Sequence, residues 1–94
     1  MGRNIPNNGR VTDPMMNSFI KEYIIPFFEY GTFIDGEGLW KGELEQTKIF
    51  YLELPDNEVD GIREMFQQIA IKYKQAFNQD SVLISQIDSK IAFV

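Results

Sequence analysis

The side chains best suited to chemistry are two early arginines, Arg3 and Arg10, and a run of carboxylates through the middle of the chain. The carboxylates are Asp35, Glu37, Glu43, Glu45, Glu53, Asp56, Glu58 and Asp60. Residues 32–60 thus carry eight acidic groups against two basic ones. Clusters of oxygen donors can bind calcium or magnesium. A twelve-residue calcium loop and Asp-x-Asp-x-Asp spacing are both missing, so the expectation is a solvated acidic hairpin and no metal site. Histidine and cysteine are absent. That excludes the Ser-His-Asp triad, the Cys-His pair, disulfides and histidine- or thiolate-ligated metals. Ser81 and Ser85 have no evident base. General acid–base work would fall to a buried carboxylate such as Glu45, or to a perturbed Tyr or Lys. Gly36-Glu37-Gly38 is too short for a phosphate loop and is not followed by a helix start with Lys. No cofactor is expected. A net charge of −5 argues against nucleic acid.

The elements that must position these groups fit one domain, residues 1–94. Apolar residues make up 44%, enough for one compact core. A chain of this size buries only roughly 60–65% of its unfolded surface, so an oligomeric contact would help. Aromatic residues are frequent, with eight Phe, and follow the core stripes of the elements. No apolar run reaches the roughly 18 residues of a membrane span. The first residues lack the apolar core of a signal peptide. The expected location is therefore cytoplasmic, with no membrane partner.

Residues 1–11 read as a loop with a short strand, rich in Asn and Gly. Thr12 or Asp13 caps a helix over 13–25, with Pro14 in its first turn. Met16, Phe19, Ile20, Tyr23, Ile24 and Phe27 follow helical spacing, and Pro26 ends the pattern. Residues 31–54 read as a β-hairpin. Gly36 and Gly38 suggest a bulge or bend, and Lys41-Gly42 a tight turn. In the strand 47–54, Phe50, Leu52 and Leu54 share one face, with Ile49, Tyr51 and Glu53 on the other. A second helix spans 57–77 with the stripe Val59, Ile62, Phe66, Ile69, Tyr73 and Phe77. Residues 82–94 read as a strand or a bent strand pair. With a strand at 1–4, the order is βαββαβ. The expected fold is a ferredoxin-like α+β sandwich: an antiparallel sheet of about four strands, two helices on one face, and a short or truncated first strand.

Several of these residues recur as motifs. Gly2-Arg3, Pro26-Phe27 with Gly31-Thr32, and Asp35, Gly38 and Trp40 come in order. Glu45, Thr47 and Lys48 follow. Tyr73-Lys74, Phe77, Gln79, Ser81, Val82 and Leu83 precede a final Phe93. In this the chain resembles the bacterial family known as domain of unknown function 3574, over nearly its whole length. Relative to that family the turn after Trp40 is shorter and the first strand begins later. The resemblance implies a fold and no particular activity.

A ferredoxin-like order brings the end of the first strand, the hairpin tip and the loop before the last strand to one end. The polar residues that match the family converge there: Arg3, Trp40, Glu45, Gln79 and Ser81. These are the candidate ligand residues, with Arg3 gripping an anion and Trp40 forming a wall. The plain structural alternative is an Arg3–Glu45 ion pair with Trp40 packed under the hairpin. Two functions fit. One is a non-enzymatic oligomeric binding or regulatory module that self-associates through the sheet. The other is a small enzyme of the dimeric α/β-barrel type, acting on a small, anionic organic ligand. The apolar outer face, with Ile49, Tyr51 and Phe33 or Ile84, favours self-association.

Overall fold

The fold was read from a computed structural model that describes every residue except 7, 8, 91, 93 and 94. The chain forms β1 (Asn4–Ile5), β2 (Gly9–Arg10), α1 (Asp13–Tyr23), β3 (Thr32–Trp40), β4 (Glu43–Tyr51) and α2 (Val59–Phe77). It is an α+β protein of two helices and two small antiparallel sheets, β1–β2 and β3–β4.

The Thr12 hydroxyl accepts a hydrogen bond from the Met15 amide at the start of α1, and Pro14 sits where its missing N–H costs nothing. Pro26 cannot continue the ladder, so the helix stops at Tyr23, two residues short of the expected boundary. Ile25–Phe27 then forms a 3-10 turn. Met16, Phe19, Ile20 and Ile24 are buried with Val11 and Tyr73 in the core. Phe27 leaves the stripe and is exposed. The α2 stripe is buried or half-buried from Val59 to Phe77, as its spacing predicts. Asn78 caps α2 in the left-handed conformation.

The hairpin turn is Lys41-Gly42, with φ of 49° and 80° at the two residues. This is the left-handed pair that a two-residue hairpin favours. Nine residues pair on each strand, from Thr32↔Tyr51 to Trp40↔Glu43, without a bulge. The expected bend at Gly36 and Gly38 is therefore absent. Gly36 and Gly38 lie opposite Thr47 and Glu45 in the ladder. Met1–Arg3 runs antiparallel along β4 through the bridge Gly2↔Thr47.

Residues directly opposite share a face. Phe33 stacks on Phe50, at 4.9 Å between centroids, and Phe50 meets Phe28 and Phe66. That is the helix side. The outer face carries Ile34, Ile49 and Tyr51, so Ile34 takes the place expected for Phe33.

The expected βαββαβ order is not found: the described elements run ββαββα. Two local events account for the difference. The start of the chain makes one bridge to β4 and then folds onto itself as β1–β2. Residues 82–90, the larger part of the strand expected over 82–94, form no regular element. The remainder of that expected strand includes residues 91, 93 and 94, outside the described ones.

Candidate functional site

Arg3 is buried, at 7% exposure. Its Nε donates to the Val11 carbonyl at 2.9 Å and its guanidinium pairs with Asp13 at 2.6 Å. Both acceptors come from the turn that enters α1, so one side chain ties the first strand to the first helix. Of the two residues expected as the helix cap, Thr12 does the capping, which leaves the Asp13 carboxylate to Arg3. Hydrogen bonding to Arg3, and then the arginine's charge, hold the Asp13 carboxyl below the usual range.

Glu45 does not pair with Arg3, contrary to expectation. Its Oε2 accepts from the Asn4 amide at 2.9 Å, and its carboxylate lies over Gly2. A Cβ at Gly2 would lie 2.5 Å from Glu45 Oε1, so any larger residue there would push the carboxylate aside. Glu45 thus serves the same end of the hairpin as Arg3 but a different partner. The phenol of Tyr73 reaches the same strand and donates to the Gly2 carbonyl at 2.5 Å. Burial pushes its ionisation far above the ordinary tyrosine value, so it remains a donor. Gln79 Nε2 donates to the Asn4 carbonyl at 2.7 Å. Thr47 Oγ1 donates to the Met1 carbonyl at 3.1 Å.

The chemistry of this cluster is backbone holding. Side chains from β4, α2 and the turn into α1 satisfy the backbone and the one buried cation of Met1–Asn4. Asp13, Thr47 and Tyr73 are its members that sequence reasoning missed as site residues. Asp13 reads as one of two possible caps, Thr47 as a strand residue and Tyr73 as part of an apolar stripe, and none of these spacings points at the start of the chain.

Gly2-Arg3, Glu45, Thr47, Tyr73 and Gln79 of this cluster are motif residues, whereas Val11 and Asp13 are not, and a family model matches residues 1–93. The chain belongs to the family described as protein of unknown function, DUF3574. No curated protein and no solved structure matches it. In this DUF3574 member, then, those motif residues clamp the start of the chain, Met1–Asn4.

The remaining candidates sit apart from Arg3. Trp40 is half exposed at the hairpin end, with the Lys41 ammonium 5.7 Å from its ring centroid. It is not packed under the hairpin. Ser81 is exposed. Both border an open cleft of about 1210 Å³, together with Glu45 and Gln79. Arg3 does not line it. The cleft exceeds the roughly 300–1,000 Å³ of small-molecule sites. Among the described residues, no group of three or more His, Cys, Asp or Glu is placed to hold a metal ion. No described helix is long and apolar enough to cross a membrane.

The Glu45 geometry replaces the ion-pair expectation with a smaller one. Glu45→Ala removes one exposed backbone hydrogen bond and is expected to cost about 1 kcal/mol. Urea denaturation of the two proteins measures it. A loss of about 3–5 kcal/mol would mean that Glu45 compensates the buried arginine after all.

Proposed function

We propose that this chain is a non-enzymatic binding or regulatory module that works as an oligomer assembled through its sheet. The observation that carries this reading is the outer face of the hairpin. Ile34 and Ile49, paired in register, are each 44% exposed, and Tyr51 beside them is 47% exposed. Contiguous apolar surface of this kind marks contact sites in soluble proteins. The buried core, by contrast, holds only six apolar residues among those described. Arg3, the side chain best suited to grip an anion, is engaged by Asp13 and Val11. The ferredoxin-like sandwich belongs to this proposal: a second chain would supply the strand pairing that one chain lacks.

Light scattering at about tens of micromolar tests it. A mass above the 10.9 kDa of one chain is expected. Tyr51→Glu should return the mass to one chain, because burying an unpaired charge costs several kcal/mol. A wild-type mass of 10.9 kDa would refute the proposal.

A second reading, a small enzyme or carrier acting on an organic ligand, draws support from one observation: four of the five candidate residues line the cleft. Trp40 is the only tryptophan, so its fluorescence reports on that cleft alone. Saturable quenching by small anionic organic acids would favour this reading over the first.

A further inference from the structure

Along β4, the Lys48 amide donates to the Met1 carbonyl and the Gln46 carbonyl accepts from the Arg3 amide. Alternate residues of a strand turn their backbone groups to the same edge. Phe50 and Leu52 therefore aim theirs at this edge too, beyond the point where the pairing with Met1 ends. That open stretch faces the cleft, and the apolar stripe of α2 lines the same cleft through Ile62, Phe66 and Ile69. Buried backbone groups need partners, and an open strand edge recruits another strand.

The far wall of the cleft is the segment Val82–Asp88. Its direction follows from its anchors. Gln79 bonds Asn4, and Asp80 pairs with Lys41 at the hairpin turn. Gln86 bonds Arg63, near the start of α2. The segment therefore runs parallel to β4. Met1–Asn4 lies between its root and β4, and holds it away. The slot between them lies in line with Met1–Arg3, and a strand continuing that line would run antiparallel to both walls. Within the segment, Val82 packs on the core, whereas Leu83 and Ile87 are 89% and 83% exposed. Among the described residues it makes no ladder hydrogen bond.

We infer that the occupant of the slot is the same segment, Val82–Asp88, of a second copy. A twofold axis between the two segments makes the arrangement self-consistent. The continuous sheet then runs β4, partner segment, own segment, partner β4, with every neighbour antiparallel. Each segment fills the other chain's slot without leaving its own anchors, and the contact closes as a dimer. A strand already built into a hairpin could not enter, because both edges of the slot must be paired; a segment outside any sheet can. Leu83 and Ile87 then extend the apolar face formed by Ile34, Ile49 and Tyr51. This inference rests on the self-association reading and names its means.

Two experiments decide it. Prolines at Leu83 and Ser85 remove two ladder donors while altering only exposed side chains. The expected result is a drop in mass from twice 10.9 kDa to one chain, with helical circular dichroism unchanged. The chain has no cysteine, so single substitutions such as Ser85→Cys give a clean cross-linking scan over residues 83–87. Antiparallel neighbours about the twofold should form an intermolecular disulfide at one or two positions. A two-chain mass that survives both prolines, with no cross-link in the scan, overturns this inference and leaves self-association standing. A wild-type mass of 10.9 kDa overturns both.

Discussion

Tyr73→Ala is expected to be the most damaging single substitution, at about 3–5 kcal/mol, the range for truncating a buried aromatic. Tyr73 is fully buried and touches Phe19 edge-on, with ring centroids 5.1 Å apart, and Phe77 at 4.9 Å. It therefore joins the two helices directly. Its hydroxyl also holds the Gly2 carbonyl, so the helix pair and the first strand share one side chain. Tyr73→Phe separates the two roles. It keeps the ring and leaves the Gly2 carbonyl without its donor, which should cost about 1–3 kcal/mol. Urea denaturation of the three proteins reads both numbers. If the phenylalanine variant matches wild type, the hydroxyl does not secure the first strand.

Arg3→Met should come next, at about 2–3 kcal/mol, through the loss of charge-assisted hydrogen bonds and a stranded Val11 carbonyl. The ion pair itself contributes little of this, because the Asp13 side chain is 81% exposed and solvent screens it. The pair has a pH signature nonetheless. The Asp13 carboxyl titrates below its ordinary value in the folded chain. Its contribution is thus complete above the ordinary aspartate value, about 3.9, and is lost as pH falls through the lower folded value. Stability measured across that acid range should slope in wild type and flatten in Arg3→Met. Were Arg3 a ligand grip instead, the substitution would change stability by less than about 0.5 kcal/mol.

Both helices, the hairpin and its turn were legible in the residues, because each depends on neighbours a few positions away. The α2 stripe recurs every three or four residues, and each of its members is buried or half-buried. Thr12 and Asn78 cap their helices through contacts within one turn. Lys41-Gly42 suits the hairpin turn by its own backbone preferences. Glu45 and Gln79 do bond Asn4, next to Arg3, but the βαββαβ order from which their meeting was expected is not the order found.

Their partners did not follow. Arg3 had two carboxylates within its topological reach, and composition does not choose between Asp13 and Glu45. The choice turns on chain direction: β1–β2 folds back and delivers Val11 and Asp13 to Arg3, while Glu45 settles over the glycine beside it. The final segment shows the same limit most plainly. Val82 to Ile87 has the composition of a strand, yet a strand exists only where an edge is open to it. Here Met1–Arg3 takes the β4 edge at Gln46 and Lys48 in its place. Local chemistry specified each element from its own residues; which backbone edges meet was decided by how the whole chain packs, since a ladder is made by two segments and encoded in neither alone.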